Sequence, residues 1–157
     1  MKYTFNNLTE LPNSGTAIYF AYQDNDGLVL LDEQAAIANE ATDGQIARAI
    51  KVAKFKADSA TTLNIIAPNK TKLDAIIIAG LGKIDEANEE NLMDTGANAF
   101  GAAQIISDEV SFVIGHEVIA ADSVLLGATL RAYKWDKYQT VKKVTTGRAS
   151  AIGVYSA

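Results

Sequence analysis

The chain has 157 residues with 14 Lys or Arg against 19 Asp or Glu, so its formal charge is −5 and its pI is near 4.8. Sequence-independent nucleic-acid binding rests on clustered positive charge, which makes so acidic a chain an unlikely nucleic-acid partner. A content of 48% hydrophobic and 21% charged residues is that of a folded globular chain, the lack of cysteine excludes disulfides and thiolate chemistry, and a single histidine, His116, excludes a multi-histidine metal site.

The length is that of one domain spanning 1–157. The opening residues MKYTFNNLTELPNSG lack the apolar run of a secretory signal. AIIIAGLG at 75–82 is far short of the ~20 apolar residues that cross a bilayer. A cytoplasmic protein without a membrane partner is expected.

In chain order, Lys2–Asn6 alternates polar and aromatic residues as a half-buried strand does. The turn residues Leu11–Gly15 follow, then a second strand over Thr16–Tyr22 and a turn at Asp24–Gly27. From Asp32 the pattern is helical, with a break near Asp43-Gly44. In Gln45–Phe55 the residues Ile46, Ala49, Ile50 and Ala53 recur on one helical face, opposite Arg48, Lys51 and Lys54.

Thr61–Ala67 reads as a strand ending at Pro68. Leu73–Ala79 runs apolar without alternation, as a strand covered on both faces does. Gly80-Leu81-Gly82-Lys83 then reads as a turn, and Asp85–Ser107 as one long helix whose early carboxylates suit the positive end of the helix dipole. Glu109–Ile114 is the next strand, and Ile119–Trp135 a helix with an apolar stripe of Ala121, Val124, Leu125, Ala128, Ala132 and Trp135. The tail 142–155 reads as one or two weak strands. Interior glycines at 96, 101 and 127 each cost about 1 kcal/mol relative to alanine, which points to helices lying very close to a sheet or to a neighbouring helix. Strands alternating with helices give the α/β class.

Three segments are candidates for chemistry. Gly80, Gly82 and Lys83, between a buried strand and a helix start, form a possible phosphate turn. The third glycine of a dinucleotide fingerprint would fall at Asp85, however, and the P-loop pattern is absent. His116 beside Glu117 has no second ligand at helical spacing, so a loop or capping role fits it better than a metal or proton-transfer site. Arg131, Lys134, Lys137, Lys142, Lys143 and Arg148 crowd one stretch against Asp136 alone, a possible partner surface, though bases also suit a helix C-terminus. From the residues alone, no catalytic or metal-binding set emerges.

Two segments carry a resemblance: DAIIIAGLGKIDEANEENLMDTGANAFGAA at 74–103, and SVLLGATLRAYKWDKYQT at 123–140 with its L-x-x-Y-x-[FW]-D-x-Y ending from Leu130 to Tyr138. In this order and at this separation they resemble the N-terminal domain of the leucine (cytosol) aminopeptidase family, over nearly the whole chain. The resemblance implies a macro-domain-like three-layer α/β fold, a mixed, mostly parallel sheet flanked by helices. It also implies that peptide hydrolysis, using two divalent metals (zinc or manganese), belongs to a separate C-terminal catalytic domain carrying an N-T-D-A-E-G-R-L motif. Nothing in 1–157 matches that motif, so no catalytic or metal residue is carried over, and the chain looks like the N-terminal part of a longer enzyme. The partners implied are that catalytic domain and the copies of a homo-oligomer, a hexamer in the family.

The leading expectation is thus a non-catalytic accessory domain serving assembly or regulation. The alternative is a free-standing macro-like domain binding ADP-ribose or a nucleotide at Gly80–Lys83. A small enzyme using His116 ranks last.

Overall fold

The computed structural model describes residues 2–7, 11–115, 119–142 and 151–156, with side chains throughout except at 2, 133–142 and 151. Its elements are β1 (Lys2–Asn7), β2 (Thr16–Gln23), β3 (Val29–Leu31), α1 (Glu33–Ala41), α2 (Gln45–Ala53), β4 (Thr62–Ile66), β5 (Ala75–Lys83), α3 (Glu89–Gln104), β6 (Glu109–Ile114), α4 (Ala121–Lys142) and β7 (Ala151–Ser156). The described strands form one mixed sheet in the order β1-β7-β6-β2-β5-β4, with β3 paired to β2. Four of its pairings are parallel (β1–β7, β7–β6, β6–β2 and β2–β5), and β4 and β3 run antiparallel to their neighbours.

The strand period of two sends alternate side chains to opposite faces, and each face has its own core. Ile18, Phe20, Ile77, Ala79, Val110, Phe112, Ile152 and Val154 meet α3 and α4 through Phe100, Ala99, Val124 and Ala128. Ala17, Tyr19, Ile76, Ile78 and Val113 meet α1 and α2 through Ala35, Ala38 and Ile46. These are the three layers expected. β5 is buried from Ala75 to Gly82, which explains why its sequence runs apolar instead of alternating.

The helix starts follow local chemistry. Asp32 caps α1, its carboxylate accepting from the Ala35 N–H at 2.7 Å, and Asn88 caps α3 by accepting from the Asn91 N–H at 2.9 Å. Thr16, at the start of β2, hydrogen-bonds Ser107, whose hydroxyl donates to Asp74 Oδ2, each at 2.7 Å. That chain ties together the segments that open β2, β5 and β6. At the sheet edge, the Tyr3 hydroxyl of β1 bonds the Thr129 hydroxyl of α4.

The structure corrects several sequence expectations. Gly80–Lys83 is not a turn; β5 continues through it. The expected helix from Asp85 is divided into a 3₁₀ turn (Ile84–Glu86) and α3, with Ala87 and Asn88 extended between them. α4 runs on past Trp135 to Lys142. β3 was not anticipated, because three residues after a turn carry too little periodicity to read. Ala53, placed on the inner face of α2, is exposed. Of the two close approaches expected for the interior glycines, to the sheet or to a neighbouring helix, Gly96 and Gly127 make the second. A Cβ on Gly96 would lie 2.1 Å from the Val124 carbonyl oxygen, and one on Gly127 would lie 1.9 Å from that of Met93. They are reciprocal notches where α3 and α4 cross. Gly101 differs, because its nearest neighbour is the Arg131 guanidinium.

Candidate functional site

The Gly80–Lys83 segment owes its glycines to packing. Ala21 pairs with Gly80 and Gln23 with Lys83, so Leu81 and Gly82 together oppose the single residue Tyr22. This is a β-bulge, and Gly82 takes the left-handed conformation it needs at φ +71°. At Gly80 a Cβ would lie 2.3 Å from the Asp58 carbonyl oxygen. The Gly80 N–H donates to the Thr61 carbonyl and the Gly82 N–H to the Ala57 carbonyl, both at 2.8 Å. Gln23 Nε2 holds the same loop by donating to the Lys56 carbonyl at 2.6 Å and to Asp58 at 2.8 Å. The amides that would cradle a phosphate therefore serve the 57–61 loop. Lys83 is exposed, and Asp85 and Glu86 follow it.

The other two sequence candidates are only partly placed. His116 and Glu117 lie outside the described residues. Gly115, at the end of β6, abuts Gln34 of α1. Of the basic group only the Arg131 side chain is described, and it lies over Gly101. The side chains of Lys134, Lys137, Lys142, Lys143 and Arg148 are outside the description.

A feature that pattern reading missed lies on the α1 side of the sheet. A cavity of about 380 Å³ is bounded by Leu11–Asn13, by Ala38, Ala41 and Thr42 at the end of α1, by Lys70–Leu73, and by Tyr19 and Ile76 of the sheet. Its size lies within the range of small-molecule sites. The walls are pinned. The Thr42 hydroxyl donates to the Ala38 carbonyl at 3.0 Å, the Thr71 hydroxyl to the Pro68 carbonyl at 2.9 Å, and the Asn69 N–H to Gln45 Oε1 at 2.6 Å. The Asp74 N–H donates to the Gly15 carbonyl at 2.8 Å, fastening the Leu11–Gly15 segment to the start of β5.

Tyr19 forms part of the floor. Its hydroxyl is pushed up to about 12, first by burial and then by the nearby charges of Asp32 and Tyr155. It therefore stays protonated, a hydrogen-bond donor throughout the neutral range. Tyr19 is hard to find by sequence reading, since a tyrosine within TAIYFAY looks like any aromatic core residue.

Among the described residues no three His, Asp or Glu side chains converge. Among those residues, too, no helix is long and apolar enough to cross a membrane.

Comparison with known proteins places the chain. Residues 21–142 match the model of the cytosol aminopeptidase family, N-terminal domain. A probable cytosol aminopeptidase of Rhizobium etli is 31% identical over 85% of this chain and 31% of its own length. One of Caulobacter vibrioides is 33% identical over 72% of this chain and 23% of its own. The chain thus spans about a quarter to a third of these curated relatives. Among solved structures, a tomato leucine aminopeptidase mutant superposes over 99% of this chain and 32% of its own, with a TM-score of 0.69 at 12% identity. The macrodomain of Thermus aquaticus DarG superposes over 99% of this chain and 97% of its own, with a TM-score of 0.57 at 11% identity. At such identities these likenesses speak for the fold, which is the macro-domain-like α/β arrangement expected. The chain belongs to the cytosol aminopeptidase family, of which it carries the N-terminal domain.

Proposed function

We propose that this chain is a non-catalytic accessory domain of a leucyl aminopeptidase, serving assembly or regulation, and that peptide hydrolysis belongs to a catalytic domain of the same polypeptide. The observation that carries this reading is coverage. Residues 21–142 match an N-terminal domain, and more than two thirds of each curated relative lies outside the region that this chain matches. On this reading the parent enzyme removes N-terminal amino acids with two divalent metals, zinc or manganese, held by that other domain. It works as a homo-oligomer in the cytoplasm, and residues 1–157 act as one domain within it.

Creating a metal-bound hydroxide requires a converging ligand set. Nothing among the described residues supplies one. The test is hydrolysis of a leucyl chromophore by the pure 157-residue chain with added zinc or manganese. No turnover above buffer is expected. Metal-dependent turnover that persists through repurification would overturn the reading.

A further inference from the structure

We propose that the cavity beside Tyr19 is a binding site for a small amphipathic anion, an apolar aryl or acyl body carrying one carboxylate. The shape argument comes first. The floor is the Tyr19 ring, Ile76 and Leu73, and one wall is the short side chains of Ala38 and Ala41 on α1. A slot of this kind accepts a ring or short chain and has no apolar group of its own to fill it. Its walls are fixed by the Thr42, Thr71 and Asn69 hydrogen bonds, so a ligand would have little ordering left to impose.

Charge selects the head group. The lining holds two lysines, Lys70 and Lys72, and no acid, although the chain as a whole has a charge of −5. Lys70 is drawn to Asp43 at 2.7 Å, in a pair that is 65% and 61% exposed. Lys72 stands on the same rim and is exposed. The end of a helix ordinarily repels an anion, because its last carbonyls face outward. Here three of the last four carbonyls, those of Ala38, Asn39 and Glu40, are occupied. Ala38 O accepts from the Thr42 N–H, Glu40 O from Asp43 and Asn39 O from Gly44. The Thr42 hydroxyl adds further bonds to the carbonyls of Ala38 and Asn39.

The test uses 4-phenylbutyrate, with 4-phenylbutanol and 4-phenylbutylamine as neutral and cationic counterparts, titrated against the full chain by ligand-observed NMR. The carboxylate is expected to bind in the range of about 0.1–1 mM, which suits a ligand of this size. The alcohol should bind about 3- to 10-fold more weakly and the amine at least ~10-fold more weakly, as expected where one exposed cation faces the head group. Lys72→Gln, an exposed substitution that should leave the melting temperature unchanged, is expected to bring the carboxylate down to the alcohol's affinity. Ala41→Trp fills the cavity from the helix surface and should abolish binding of all three. Equal binding of amine and carboxylate, indifference to Lys72→Gln, binding that survives Ala41→Trp, or no binding by any of the three would each overturn the proposal.

Discussion

On one face of the sheet α3 and α4 meet backbone to backbone through Gly96 and Gly127, while on the other α1 stands far enough from Tyr19 and Ile76 to leave a cavity of about 380 Å³. Small residues build both arrangements. In α3 and α4 they lie in reciprocal notches, so removing side chains draws the helices together, and Phe100 and Leu92 fill what remains. In α1 it is Ala38 and Ala41 that line the cavity, and Ile37 of the same helix is 43% exposed. The same composition therefore closes one interface and opens the other. What decides is whether a backbone or a void lies across from the missing side chain.

The comparison breaks most sharply at Gly127. An added methyl there would meet the Met93 carbonyl oxygen at 1.9 Å, a backbone group that cannot step aside without parting the two helices. Gly127→Ala is expected to cost about 3 kcal/mol, at the upper end of overpacking, and to lower the melting temperature by roughly 6–12 °C for a chain of this length. Gly101→Ala on α3 is the matched control. Its new methyl meets only the movable end of Arg131, so the improved helix propensity, worth up to about 1 kcal/mol, should leave it neutral or slightly stabilising. Thermal melts of both variants decide the matter. Equal losses would mean that the notch is not what sets the α3–α4 distance.

Tyr19 probes the looser face through pH. Its ionisation is raised in the folded chain from 10.0 to about 12, so folding favours its protonated form. That contribution is fully present below pH 10. It is lost as the pH rises from 10 through about 12, where the unfolded chain ionises before the folded one. Two units correspond to about 2–3 kcal/mol. Tyr19→Phe cannot ionise, so its stability should fall less steeply across that window than the wild type's. Chemical denaturation at pH 9, 10 and 11 measures the difference, and parallel curves would sink the assignment.

The same contrast explains what was legible in the sequence. Long periodic or continuous apolar runs, such as Ala75–Ala79 and Val124–Ala132, showed the class and every strand but β3, because hydrophobic patterning reports burial directly, whereas the three layers came from the family resemblance. The Asp32 and Asn88 caps sit where chemistry places them, although the second was hidden inside what read as one helix. Glycine was the less transparent signal. A glycine marks a close approach or a left-handed backbone without saying which, so Gly80 and Gly82 imitated a phosphate turn while serving a loop contact and a bulge. The cavity was illegible, because its lining comes from four separate stretches of chain and a void leaves no mark on any of them.

The smallest expected effect is at that bulge, where the closed part of the molecule copies a ligand loop. A phosphate seated at Gly80–Lys83 would need the N–H groups of Gly80 and Gly82, which already donate to Thr61 and Ala57 at 2.8 Å. Releasing a bonded backbone group costs about 1–3 kcal/mol for each carbonyl left unsatisfied. The start of α3 lies beyond a 3₁₀ turn and is capped by Asn88, so its dipole is not aimed at the bulge. Asp85, Glu86, Glu89 and Glu90 are exposed along the way and oppose an anion, against Lys83 alone. ADP-ribose and ATP are therefore expected to bind no more tightly than about 1 mM, or roughly −4 kcal/mol. Titration calorimetry on the full chain measures this. Micromolar binding that is lost in Lys83→Ala, which leaves the bulge intact, and in Gly82→Val, which does not, would make the segment a nucleotide site after all. It would also favour a free-standing macro-like domain over the accessory role proposed here.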